Sequence, residues 1–460
     1  VDTRKPITHL VKSGDSLFEL AKQFKTTPEA ILRLNRLASM DLVIGQLLNI
    51  PVYTEVTVNR DAVLVHNVPG PKGLVVAHMD RGARLPVVGG GSDWVHVRLY
   101  DGRLGWISRE FVTLTPSGGD SKLTEVLGFY TEREGPTLPN SYADFTAHQA
   151  ELSDGAMFHF RIDRERPTEV EKFYEFTDDY LRQVVEFGHR HNIRMLPIIH
   201  NLLYERGNQN VNKDVVRGML ATPQTRRAFI ANVIEVVRRY DFDGAHIDFE
   251  DVYFEDREKL SAFYRELGRE LKAQQLYFAV STPSRTSDQP TNPFSAPFDY
   301  GVIGRAADEF VAMLYNEHGW PGSGPGPVVS IGWMESVLRY AMTKMPPHKI
   351  IAAVSVFGFD FNLTAKRNTY VTYSMAMDLA KRYEQDVIFD EKTQTPMFRY
   401  TDKDGDRHEV WFENAASIRA KLNLANRLGV RGLALWRLGM EDPGIWPMLA
   451  RDFVVQKGVQ

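Results

Sequence analysis

The chain of 460 residues contains no cysteine. That absence excludes a disulfide framework and any thiolate metal site. It leaves the compartment open. Long apolar runs are missing as well, and no stretch could cross a hydrocarbon layer. A basic surplus is also lacking. The net charge is −4, and residues 1–53 carry seven Lys/Arg against five Asp/Glu, residues 54–115 seven against six. The negative charge therefore lies in the remainder, and no segment has the excess of a nucleic-acid binder. No cluster of His, Asp and Glu has metal-ligand spacing, so neither a metal nor a cofactor is expected. What remains is 43% hydrophobic and 25% charged, the balance of a soluble globular protein with more than one domain. The chain begins at Val1 rather than Met, which is compatible with an upstream signal peptide.

The most informative stretch is Asp243-Gly244-Ala245-His246-Ile247-Asp248-Phe249-Glu250. Its apolar residues suggest a buried strand that carries carboxylates toward one end. Residues two apart share a side of a strand, so His246, Asp248 and Glu250 point together. Two carboxyls this close cannot both ionise freely, and one is left protonated at neutral pH, as a general acid requires. A strand end with two solvated acids is the plainer alternative, and the surrounding chain has to decide.

Three regions differ in pattern. In residues 1–53, Leu17, Leu20, Ala21 and Phe24 recur at helical spacing after Ser13-Gly14-Asp15-Ser16. Thr27-Pro28 reads as the start of a second helix, and Leu42–Pro51 as a closing strand around Gly45-Gln46. Residues 54–115 alternate in short runs, 62–65, 74–76, 84–88, 94–99 and 105–107, with a hairpin signal at Asp101-Gly102. This predicts a small barrel with Trp94 and Trp106 in its core. Residues 116–121 read as a linker. From 122 to 460, eight strand-like runs alternate with helical ones, the pattern of an α/β (β/α)8 barrel, with an α+β insertion at about 360–414 after strand seven. Glu250 then falls at the C-terminal end of strand four, where such barrels carry catalytic groups.

These residues carry three resemblances. His9, Val11, Gly14-Asp15-Ser16-Leu17, Ala21, Phe24, Thr27, Ile31, Asn35, Leu42, Gly45-Gln46, Leu48 and Ile50-Pro51 resemble a LysM domain. That implies binding of N-acetylglucosamine polymers such as peptidoglycan and chitin, between the Gly14–Leu17 loop and the loop after the second helix. Trp94, Asp101-Gly102 and Gly105-Trp106-Ile107 resemble a bacterial SH3-like domain. Asp243-Gly244, Asp248-Phe249-Glu250, Met313-Leu314-Tyr315-Asn316 and Trp436 resemble glycoside hydrolase family 18, of the spore-germination and cortex-lytic type.

The last resemblance implies a substrate-assisted retaining mechanism in which the 2-acetamido oxygen attacks C1. Glu250 would be the general acid and later the base. Asp248 would hold the acetamido N–H, Tyr315 the acetamido carbonyl, and Trp436 would floor the subsite before the cleaved bond. Asp243, His246 and Asn316 join the expected substrate contacts. Tyr130, Asn201, His159 and His200 at strand ends are further candidates. Two residues depart from the family. His246 stands where chitinases have Asp, and Asn316 where many relatives have Asp. A neutral His246 could donate to Asp248; a charged one would hold it ionised. The expected reaction is cleavage of β-1,4 bonds at N-acetylglucosamine in peptidoglycan of the cortex or wall, by a secreted, wall- or spore-bound protein. A chitinase and an inactive carbohydrate-binding barrel are the alternatives.

Overall fold

A computed structural model describes residues 7–132, 138–172, 176–203, 211–288 and 293–458. At the N-terminus, β1 (Ile7–Leu10) pairs antiparallel with β2 (Leu47–Ile50). Between them lie α1 (Leu17–Gln23) and α2 (Pro28–Leu34). The cap at Thr27 is present as the sequence implies: its side chain accepts from the Ala30 N–H, and Pro28 opens the helix. Leu17, Leu20, Ala21, Ile31, Leu48 and Ile50 close a small core.

The middle module is a seven-stranded antiparallel sheet. It comprises β3 (Tyr53–Val58), β4 (Val63–His66), β5 (Val75–Met79), β6 (Arg84–Gly90), β7 (Trp94–Arg98), β8 (Leu104–Ser108) and β9 (Val112–Ser117). The pattern predicts five of these; β3 and β9 pair with each other over Tyr53–Val58 and Val112–Ser117. Pro116 and Ser117 are therefore strand, not linker. Trp94 and Trp106 are not core residues either. They alternate with the buried Val95, Val97 and Ile107 and face outward, where Trp106 stacks on His96 at 4.4 Å.

The barrel strands are β10 (Leu123–Tyr130), β11 (Asp154–Ile162), β13 (Arg194–His200), β14 (Gly244–Asp248), β15 (Tyr277–Pro283), β16 (Glu309–Met313), β17 (Ile350–Ser355) and β23 (Gly432–Trp436). They pair in parallel in that order, and β23 closes onto β10. Outside them lie α3 (Tyr142–Ala147), α4 (Asp178–Arg190), α5 (Lys213–Leu220), α6 (Pro223–Arg239), α7 (Arg257–Ala273), α8 (Tyr300–Ala306), α9 (Ile331–Met342), α11 (Ala415–Leu428) and α12 (Ile445–Asp452), and the short β12 (Val170–Lys172) pairs antiparallel with β11. The insertion after β17 starts at Gly358, two residues before its expected bound. Its five antiparallel strands run from β18 (Gly358–Asn362) to β22 (Arg407–Trp411), with α10 (Tyr373–Arg382) packed on them.

The middle module meets the N-terminal end of the barrel. Arg190 binds Asp80 through two bonds of 2.6 Å, Arg84 Nη1 donates to Ala150 O at 2.8 Å, and Tyr100 stacks on His189 at 3.9 Å. At the same end Glu125, Asp154 and Glu309 cluster, the only carboxylate grouping among the described residues with metal-like spacing. Arg431 lies 2.7 Å from Glu125 and Arg194 3.3 Å from Asp154, so guanidinium groups already offset these buried charges.

Candidate active site

The last strand residue of β14, Asp248, is opposite His200 of β13, and Glu250 lies two residues on at the mouth of the barrel. Parallel strands with helical crossovers are buried on both faces, so functional side chains gather at strand ends, and in such barrels at the C-terminal ones. Asp248 is buried, Glu250 half-buried. Burial pushes the Asp248 carboxyl well above the usual carboxylate range, and the charge of Glu250 adds to it. Burial likewise pushes Glu250 up to about 7, with Asp251 contributing. The pair thus holds a proton near neutrality, which is what two close acids on one strand face imply.

Tyr315 and Trp436 stand at the ends of β16 and β23 on the same mouth. Both are half-buried and pack on the cluster that fills the barrel interior, with ring centroids 6.4 Å apart. Trp436 rests on Phe129 at 5.1 Å and Phe158 at 5.2 Å, which fixes its plane. The Tyr315–Asn316 and Trp436–Arg437 peptides are cis. Asn316 is exposed beside Tyr315.

Other expected contacts are placed elsewhere. Asp243 precedes β14 at the opposite, N-terminal end of the barrel. Its Oδ2 accepts from the Met195 N–H at 2.7 Å and lies 3.0 Å from His189 Nε2, so it joins strands and cannot touch a sugar at the mouth. His246 is fully buried, and its Nε2 is 2.7 Å from Ser281 Oγ rather than on Asp248. Burial lowers its pKa to about 3, so it is neutral at working pH and reaches no substrate. Its Nδ1 and Asp248 Oδ1 are both buried without a hydrogen bond. Tyr130 is fully buried with its hydroxyl 2.5 Å from both Glu132 Oε1 and Tyr180 Oη. His159 is buried against Tyr130 and Phe176, and burial lowers its pKa to about 3. His200 stacks on Phe158 at 4.1 Å and accepts the Leu202 N–H. Asn201 bonds the main chain of Glu250 instead of lining the cleft. Ser281, the partner of His246, is absent from the sequence expectations because strand register is needed to bring β15 to it.

The structural role of Asp243 has a consequence for stability. Burial lowers the His189 pKa, but the Asp243 and Asp241 carboxylates outweigh it and the net shift is upward. A raised histidine contributes stability that is complete below its unfolded pKa, about 6.5, and lost as pH rises through the folded value. We expect Asp243→Asn to cost about 1–3 kcal/mol and to flatten this pH dependence, with kcat unchanged; thermal unfolding from pH 5 to 9 measures both.

The family model described as Glycosyl hydrolases family 18 matches residues 207–441, which include Asp248, Glu250, Tyr315 and Trp436. The chain belongs to this family. A LysM domain model matches residues 9–51. Among curated relatives, the cortical fragment-lytic enzyme of Bacillus subtilis is 33% identical over 281 residues, 60% of this chain and 63% of that protein. Its Bacillus cereus counterpart is 32% identical over 254 residues, 54% of this chain and 59% of that protein. The matches thus span less than two thirds of these relatives' own length. The fold of the spore cortex-lytic enzyme SleL from Bacillus megaterium is similar over 99% of both chains, with TM-score 0.66 and 25% identity. A chitinase from Chromobacterium violaceum is similar over 72% of this chain and 98% of its own, with TM-score 0.64 and 28% identity. No helix among the described residues is long and apolar enough to cross a membrane.

Proposed function

We propose that the chain hydrolyses β-1,4 bonds at N-acetylglucosamine in peptidoglycan, with spore cortex or its fragments as substrate. The observation that carries this is the Asp248–Glu250 pair at the barrel mouth, with Glu250 titrating near neutrality. Glu250 protonates the leaving oxygen while the substrate's own acetamido group attacks C1. Asp248 stabilises the cation that develops on the acetamido nitrogen, and Tyr315 holds the carbonyl oxygen. Trp436 offers the apolar face of the sugar a flat ring. The LysM domain anchors the enzyme to the same polymer, and the place of action is the wall or spore envelope after secretion. The SH3-like reading of the middle module rests on its sequence pattern and antiparallel sheet.

We expect Trp436→Ala to raise KM about tenfold with a smaller effect on kcat, measured on soluble muropeptides. The function itself is tested by digesting purified cortex and chitin oligomers in parallel and identifying new reducing ends by mass spectrometry. N-acetylglucosamine ends from cortex support the proposal. Faster cleavage of chitin makes the chain a chitinase, and no cleavage of either leaves a carbohydrate-binding barrel.

A further inference from the structure

We infer that Asn201 is the positioning residue for Glu250; the inference rests on the reading of Glu250 as proton donor. The ladder of β14 with β13 ends at Asp248, so Glu250 lies beyond the last rung. There the Asn201 side chain replaces the missing strand. Its Oδ1 accepts the Glu250 N–H at 2.9 Å, and its Nδ2 donates to Glu250 O at 2.9 Å. One planar amide therefore grips both main-chain groups of a single residue, the arrangement that a neighbouring strand makes with a paired residue. The two bonds straddle Cα of Glu250 and fix where its side chain leaves the backbone.

Nothing else among the described residues does this. No hydrogen bond to the Glu250 carboxyl is present among them, so the backbone sets its position. The next residue, Asp251, has φ +47°, and the chain turns away at once. Asn201 is itself held firmly. It is 2% exposed, its carbonyl accepts the Asn212 N–H at 2.8 Å, and its Nδ2 lies 3.4 Å from Asn212 O. Asn212 caps α5 through the Val215 N–H, and Lys213 Nζ reaches Asp251 at 2.8 Å. The frame closes on itself: Asn201, Glu250, Asp251, Lys213, Asn212 and back. Both polar atoms of the Asn201 amide are engaged, which leaves it no role as a sugar contact.

A positioning role predicts a loss in turnover rather than in binding, because an acid displaced by about 1 Å can cost roughly a hundredfold. We expect Asn201→Ala to lower kcat by about that factor with KM within about twofold. Asn201→Asp keeps the shape and the acceptor but places a carboxylate beside the acid. Its expected signature is an upward shift of the Glu250 titration, read directly by 13C NMR of the labelled carboxyl and, where turnover is measurable, as an alkaline limb displaced to higher pH. A rise in KM with kcat intact would make Asn201 a substrate contact and overturn the inference. So would a Glu250 titration unmoved in Asn201→Asp, or wild-type kcat in Asn201→Ala. Should Asn201→Ala not fold, Asn201→Asp carries the test. A wild type inactive on every glycan would sink the hydrolase reading, while the NMR titration still decides the role of Asn201.

Discussion

Glu250→Gln is expected to lower kcat on cortex muropeptides about a thousandfold, with binding retained. Gln keeps the volume and can hydrogen-bond the glycosidic oxygen, but it has no proton to give. The proton matters because the leaving sugar alkoxide is a poor leaving group without it. In the wild type, burial and the adjacent Asp251 hold Glu250 near 7, so it is protonated below that pH and ionised above it. Turnover should therefore fall as pH rises through about 7, and that limb should vanish from the residual activity of the Gln variant. Asp251→Asn removes the like charge and should move the limb to lower pH. Release of reducing ends across pH 5–9 measures all three effects. A pH profile equal in wild type and Glu250→Gln would show that another group supplies the proton.

Asp248→Asn should cost about a hundredfold in kcat, and Asp248→Ala more. The two variants separate two contributions. Asn can still accept from an acetamido N–H, so its deficit reports the missing negative charge alone. Ala also loses the hydrogen bond that turns the acetamido oxygen toward C1. Burial makes the charge effective, since a low-dielectric site screens it weakly. The same burial makes ionisation of Asp248 unfavourable in the free enzyme. A sugar lacking the 2-acetamido group should not be cleaved, because it has no nucleophile to attack C1, and its binding should be indifferent to both substitutions; unchanged binding of such an analogue distinguishes this role from mere scaffolding.

His246 shows how far a single strand can be read. The alternation in Gly244–Asp248 correctly puts His246 and Asp248 on one side, because the period of a strand is fixed by its backbone. Whether His246 bonds Asp248 is not a property of the strand. Ser281 of the neighbouring β15 lies 2.7 Å away and takes its Nε2. Trp94 and Trp106 teach the converse. Large aromatics are usually core, but here the alternating valines fill the interior and the indoles face outward. Asp243 has the same residue type as Asp248 and lies five positions earlier, which on a strand is the full height of the barrel; the two carboxylates serve opposite ends.

The sequence by itself determined most of the elements, the order of the barrel strands and the nearness of the two acids, but not the paired strands Tyr53–Val58 and Val112–Ser117. Periodicity, caps and turn residues are local and survive without tertiary context, and the alternation of eight strands with helices leaves the barrel as the natural closure. Tertiary structure alone decided which polar groups face one another: Asn201 on the main chain of Glu250, Ser281 on His246, His189 on Asp243. Those pairings depend on strand register and barrel closure, which join residues tens of positions apart. They also set the burial that holds Glu250 near neutrality, and desolvation is a property of the packed molecule, not of any segment.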